Sequence, residues 1–297
     1  MKSAIKSSRA EKSFDIFNVV FMVLISLIFI LPFWMVFVTS FVSSTELSLR
    51  GSFIMFPWKW DFTAYKILLD KNSLVYNAYT VTLFVVVTGT AISLFITSLL
   101  AYGLSKKTLP GKTFFTGMIF FTMLFNGGLI PSYMLNKSLG LLDSLWVLIL
   151  PMMVSSWNIF ILRNFFSQLP DSLEEAALID GASPLKILLY IIFPISIPVL
   201  MTIGLFYAVG YWNAWFSAAI YINDVKKLPV QNIMRNIIVS NTASDISTEM
   251  SNMTIHKPTA DSLKSAVIMV CTIPIICIYP FIQKYFVKGV MVGSIKG

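Results

Sequence analysis

Residues 170–198 read P-D-S-L-E-E-A-A-L-I-D-G-A-S-P-L-K-I-L-L-Y-I-I-F-P-I-S-I-P, and within them the chain passes from a polar, capped helix into an apolar run. Asp171 to Glu174 and Ser172 to Glu175 form two overlapping capping boxes directly after Pro170. They predict a helix start with carboxylates at the positive end of the dipole. Gly181 predicts its end. Ser183 is placed to cap a second helix with Pro184 in its first turn, where the missing N–H costs nothing, and that helix continues from Leu185 into apolar sequence. On the first helix Leu173, Ala176 and Ala177 share a face at i, i+3, i+4 spacing, and the two alanines predict a shallow notch open to another surface. Such a helix, bend and helix suits either a segment resting on lipid headgroups or one that docks a partner.

The surroundings of this stretch are those of a membrane protein. The 297 residues are 57% hydrophobic and only 12% charged, about half the ~25% charged content of an ordinary soluble domain, and mean hydropathy is +0.79. The net charge of +8 comes from lysines and arginines in short segments flanking apolar runs, the pattern of membrane orientation; nucleic acid is not an expected partner. A bilayer core takes about 20 apolar helical residues. Six runs meet that length: 14–42, 76–104, 113–135, 139–162, 187–221 and 263–285. The first is about twice as long as a signal-peptide core and is read as an uncleaved span.

The expected fold is therefore all-α and polytopic, with six transmembrane helices: a cytoplasmic N-terminal tail over 1–13, a transmembrane domain over 14–285 and a cytoplasmic C-terminal tail over 286–297. Both termini then face the cytosol, together with Lys106, Lys107, Lys112, Arg163, Lys186, Lys288 and Lys296. The loop over 170–190, between spans four and five, falls on the same side. Segments 43–75, 136–138 and 222–262 fall outside. Trp58, Trp60, Tyr65 and Trp146 read as interfacial aromatics, and Ser240 to Thr259, rich in Ser, Thr and Asn, as an irregular loop. The external Lys59, Lys66, Lys226, Lys227 and Arg235 read as ordinary solvation, with steering of anionic sugars the lesser reading. Seven prolines (Pro32, Pro131, Pro151, Pro194, Pro198, Pro274, Pro280) lie in or at the ends of apolar runs and predict kinks.

Several chemistries find no support. Gly111-Lys112-Thr113 lacks the glycine at 106 that a phosphate-binding loop needs, so ATP binding by this chain is not expected. His256 is the sole histidine; neither a zinc site nor a Ser-His-Asp arrangement is expected. Cys271 and Cys277, six residues apart on one helix, sit roughly 9 Å apart along its axis, too far for a disulfide. No carboxylate pair lies inside the spans for acid-base work or for ion coupling.

What the spans do hold is amide and aromatic. Asn126, Asn158 and Asn213 must find hydrogen-bond partners in hydrocarbon. Tyr207, Tyr211 and Trp215 fall at i, i+4, i+8 on one face, with Trp212 and Asn213 beside them. Packing is the ordinary role of such a stripe, but flat aromatic faces with amides and hydroxyls also suit a sugar, whose C–H faces stack and whose hydroxyls need donors and acceptors.

The string Glu175-Ala176-Ala177, three residues, Gly181, nine residues and Ile191-Ile192-Phe193-Pro194 resembles the E-A-A-x3-G-x9-I-x-L-P signature of bacterial ABC-importer permeases, with Phe193 where Leu is usual. E-A-A-x-x-D-G-A-S resembles the carbohydrate branch, as do Asn126 to Pro131, Arg163 to Pro170, Tyr211 to Phe216 and Phe286 to Gly297. The likeness extends over nearly the whole chain and is greatest to permeases for oligosaccharides, the group of the smaller maltose-importer permease.

The resemblance implies that the loop is a coupling helix, with Glu174, Glu175, Ala176, Ala177, Asp180, Gly181 and Pro194 engaging a cytoplasmic ATPase. It also implies a second, different permease, an ATPase dimer that carries ATP and magnesium, an extracellular sugar-binding protein, an oligosaccharide substrate and a bacterial plasma-membrane location. The chain itself would bind no cofactor and catalyse nothing. A permease for another small polar solute such as a peptide, and a membrane scaffold subunit, are the alternatives.

Overall fold

The computed structural model describes residues 9–51, 53–71, 73–239 and 259–294. Lys2, Lys6, His256, Lys296 and the Ser-, Thr- and Asn-rich stretch over 240–258 lie outside the described residues. Those described are helical or irregular, with no strand among them. They divide into two compact units, 1–69 with 237–270 and 70–236 with 271–297.

In the first unit α1 (Arg9–Thr39) carries the apolar run 14–42. Its side chains from Phe14 to Leu31 are exposed on nearly every side, and burial begins only at Trp34. Val38, Val42, Leu47 and Ile54 form a small core flanked by Trp34 and Phe37. Two short helices follow, α2 (Ser44–Arg50) and α3 (Thr63–Leu68). Glu46 of α2 is buried, and its carboxylate accepts from Arg50 Nη1 at 2.6 Å and from the Trp58 N–H at 2.9 and 3.0 Å. A buried carboxylate is stable only when so satisfied. Tyr65 stacks on Phe41 with ring centroids 4.7 Å apart and shares a hydrogen bond with Ser40. Trp58 and Trp60 keep most of their surface exposed.

The second unit is organised on α4 (Leu74–Ser105), started by Ser73, whose side chain accepts from the Tyr76 N–H. α4 packs against α8 (Ser156–Phe166) and α12 (Ile197–Trp212), and Ala101, Ile149, Ile159, Leu162 and Ile203 are wholly buried there. The run 113–135, expected as one span, is two helices, α5 (Lys112–Leu124) and α6 (Leu129–Ser138), bent by 114°. Phe125 is extended, Asn126 Oδ1 accepts from the Gly128 N–H at 2.8 Å, and Gly128 sits at φ +88°. That Asn-Gly-Gly turn overrides continuous hydropathy.

The run 139–162 is α7 (Trp146–Ile149) with a 3₁₀ turn to Met152, then α8, bent by 51°. The run 187–221 is the most broken. After α10 (Pro184–Ile187) come a π turn over Leu188–Ile192 and α11 (Phe193–Ile195), then a 91° bend at Ser196 into α12. Pro194 and Pro198 remove two helix donors around that bend, and the wider turn before Pro194 makes room for its ring. A further break at Asn213-Ala214 precedes α13 (Trp215–Tyr221).

α14 (Val230–Val239) and α15 (Ala260–Ser294) complete the described chain, so the expected C-terminal tail from 286 begins as helix. Three helices are long and apolar enough to cross a membrane, or up to six if each bent pair is one span.

Candidate functional site

Between α8 and α12, residues 171–187 form the predicted helix, bend and helix: α9 (Asp171–Ile179), then α10. Its C-terminus is a Schellman closure. The Gly181 N–H donates to the Leu178 carbonyl at 3.0 Å and the Ala182 N–H to the Ala177 carbonyl at 2.9 Å, with Gly181 at φ +77°. This left-handed position is one that L side chains adopt only with strain, which is why glycine ends the helix.

The N-terminus corrects the expectation. Pro170 caps α9 without any side-chain hydrogen bond, so neither capping box forms, and Ser183 likewise caps α10 without its hydroxyl. The carboxylates are taken by lysines from the end of α4. Glu174 pairs with Lys106, both partly buried, and Asp171 pairs with Lys107 at 2.7 Å, both exposed. The Lys106 ammonium also lies 3.7 Å from the Tyr102 ring centroid, a cation–π contact on α4 itself. The hydrogen bond from Lys107 holds the Asp171 carboxyl below its ordinary value of 3.8, and the same pairing holds Lys107 above 10.5. Sequence reading took these lysines only as markers of membrane orientation. Ion pairs about 65 residues apart in sequence leave no periodic signal.

The expected alanine notch does not form either. Ala177 turns inward and is buried, whereas Ala176 is exposed beside Glu175. Leu173 and Glu174 are partly buried; Glu175, Asp180 and Gly181 are open to solvent. Leu178, Ile179, Leu185 and Tyr190 are large apolar side chains left exposed, Ile179 by 86%. Pro194 is exposed at the start of the bent span.

The amide and aromatic residues of span five do not form one stripe. Tyr207 and Tyr211 share a face of α12, but the helix stops at Trp212 and the chain turns at Asn213, so Trp215 starts a different helix. Both tyrosines are buried. Tyr207 Oη accepts from the Ser155 N–H at 3.0 Å and shares a 2.6 Å bond with Thr97; Tyr211 Oη donates to the Ile149 carbonyl at 3.2 Å and meets Ser93 Oγ at 2.8 Å. These bonds tie α4, α7, α8 and α12 together. Gly89 of α4 lies against the Tyr211 ring: a Cβ there would come within 2.7 Å.

Asn213 and Asn126 are exposed and bond local backbone, Asn213 Nδ2 donating to the Val209 carbonyl at 2.9 Å. Asn158 is buried in the first turn of α8, its N–H capped by Ser155. Trp212 is buried against Tyr79, and its indole N–H has no acceptor among the described residues. Trp215 is exposed, with the Arg235 guanidinium 4.6 Å from its ring centroid.

A second ionic fastening went unread in the sequence. Asp143, in the left-handed region at φ 57°, accepts from the N–H groups of Asn223 and Asp224 and pairs with Lys227 at 3.1 Å. The Asp224 N–H, and after it the Lys227 ammonium, holds this carboxyl below its ordinary 3.8. Asn77 donates to the Lys226 carbonyl, and Thr82 accepts from the Val230 N–H. The return from α13 to α14 is thus pinned to α4 and to the start of α7. Among the described residues no group of three His, Cys, Asp or Glu could hold a metal, and Cys271 and Cys277 are free.

Comparison with known proteins adds to this geometry. The profile of the family described as "Binding-protein-dependent transport system inner membrane component" matches residues 3–292. The polygalacturonan/rhamnogalacturonan transport system permease protein YtcP of Bacillus subtilis (strain 168) is 44% identical over 288 residues, 97% of this chain and 99% of that protein. Protein LplC of the same strain is 42% identical over 98% of this chain and 97% of its own. One chain in the crystal structure of a bacterial ABC transporter involved in the import of the acidic polysaccharide alginate has a TM-score of 0.85 at 32% identity, over 94% of this chain and 99% of that one.

Proposed function

The chain belongs to the binding-protein-dependent transport system inner membrane component family, and from that premise we infer that it carries an oligosaccharide across the membrane, coupled to a separate ATPase through residues 170–190. As a permease of ABC importers it is not an enzyme; nucleotide hydrolysis belongs to another subunit.

Supporting the coupling role is one observation: a Schellman-closed bend on which Glu175, Ala176, Leu178, Ile179, Asp180 and Leu185 are exposed while Asp171 and Glu174 pair with Lys107 and Lys106 at the end of α4. A lever needs both an uncovered docking face and a stiff attachment. Glu174 belongs to the attachment and Glu175 to the face; Ala177 seats the helix, and Pro194 marks where its motion would enter span five.

The proposed topology has six spans: α1, α4, α5 with α6, α7 with α8, α10 through α13, and α15. Both termini then lie in the cytoplasm, and Lys106, Lys107, Lys112, Arg163 and Lys186 share that side. The transmembrane domain runs over 14–285. The pathway is shared with a second, different permease, and a sugar-binding protein delivers substrate from outside. ATP and magnesium bind the ATPase dimer, whose closure moves the coupling helices and turns the spans outward.

The proposed cargo is acidic, because polygalacturonan and alginate, in the names of two relatives, are uronic-acid polymers. Asn126, Asn213 and Trp215, exposed on broken helices, are the proposed cavity residues. Asn158, Tyr207, Tyr211 and Trp212, which are buried, are proposed to hold the helices that carry them.

The test is Gly181→Val in the reconstituted transporter with its binding protein. Insertion and assembly are expected to persist while substrate-stimulated ATPase activity collapses; normal stimulation would remove the coupling assignment.

A further inference from the structure

Between α4, α5 and α8 lies a cavity of about 460 Å³. Its walls are apolar, with Leu100, Gly103, Leu104, Phe115, Met118 and Ile159 among them. Thr122 and Ser156, which also line it, are hydrogen-bonded to each other at 3.1 Å, so the lining offers little to a sugar, which needs free donors and acceptors. Nor can it admit a partner helix, whose diameter is about 10–12 Å. The volume suits a slender apolar ligand instead.

One end of the cavity carries positive charge. Leu104, in the wall, has its carbonyl bound by Arg163 Nε at 3.3 Å, and Arg163 lies one turn beyond Ile159 on α8. Lys112, at the first turn of α5, donates to the carbonyls of Lys106 at 2.9 Å and Ser105 at 3.4 Å, next to Leu104. Neither cation has a carboxylate partner among the described residues. Of the acids near the end of α4, Asp171 and Glu174 already serve Lys107 and Lys106, and Glu175 acts on Lys107.

An apolar slot inside a membrane subunit, with two uncompensated cations at its mouth, has the complementarity of a single lipid. The geometry points to a bound anionic phospholipid, with one acyl chain in the cavity and its phosphate at Lys112 and Arg163. This site is independent of the sugar path and does not rest on the coupling assignment. It sits under the end of α4 that fastens residues 170–190, so an occupied slot would stiffen the seat of that loop.

Gly103 supplies a clean perturbation. A Cβ added there meets nothing within 4 Å, so Gly103→Leu fills the slot with little disturbance of the helix. The assembled transporter is purified in mild detergent and examined by native mass spectrometry, then reconstituted in vesicles of mixed phosphatidylglycerol and phosphatidylcholine.

Wild type is expected to retain a phospholipid with about a thirtyfold preference for the anionic headgroup, the scale of two basic residues at a membrane surface. Gly103→Leu is expected to lose it. Lys112→Gln with Arg163→Gln is expected to keep a lipid but lose the preference, and this pair carries the test if Gly103→Leu does not assemble. Absence of lipid from the wild type, retention in an assembled Gly103→Leu, or an unchanged preference in the double variant would each overturn the proposal.

Discussion

Gly89 allows α4 and α12 to meet at the Tyr211 ring, and a single methyl tests that approach. Gly89→Ala is expected to destabilise the purified protein by about 1–3 kcal/mol through overpacking, read as a lowered thermal midpoint. Gly103→Ala, facing open space, is expected to be neutral or mildly stabilising.

The Lys107–Asp171 pair gives a pH prediction. Asp171 is depressed, so its contribution is present above 3.8 and lost as pH falls through its lowered value; Lys107 is raised, so its contribution is present below 10.5 and lost as pH rises through its raised value. Across about pH 6 to 9 the pair is therefore constant. Asp171→Asn is expected to alter ATPase stimulation by the same factor throughout that range; a wild-type inflection there that this variant abolishes would contradict the assignment. At this scale the sequence misled in a specific way. Asp171 and Glu174 stood at capping-box spacing, but the ammoniums of Lys107 and Lys106 took them instead, and nothing local to residues 170–175 encodes those competitors.

The elements were legible in proportion to how local their causes are. α1 and α4 follow directly from long apolar runs, and Gly181 ends α9 by a rule confined to one turn. Hydropathy counts residues but not direction, so 113–135 read as one rod although Asn126-Gly127-Gly128 carried a turn signal within it. The same blindness joined Tyr207, Tyr211 and Trp215 into one stripe across the break at Asn213. The Asp143 fastening was hidden because its partners lie 80 or more residues downstream. Asp143→Ala leaves the Asn223 and Asp224 N–H groups and Lys227 without that carboxylate. Trypsin cleavage after Lys226 and Lys227 is expected to quicken several-fold, while membrane insertion is unchanged.

For the whole molecule, composition announced a polytopic membrane protein, and the signature around Glu175 announced its family before any coordinate. Which ends face the cytosol is open to direct measurement. With Cys271 and Cys277 replaced, a cysteine at Ile179 is expected to react with an impermeant thiol reagent only after the membrane is permeabilised, and a cysteine at Lys59 to react without that step. The opposite pattern would invert the proposed topology.

The long exposed flank of α1 has one more consequence, in the currency of evolution and engineering. From Phe14 to Leu31 the helix contributes length and oiliness but little shape, so those positions are free to drift among apolar residues. Drift should stop abruptly near Trp34, where volume begins to matter. A foreign anchor of equal length grafted before that point is expected to be accepted.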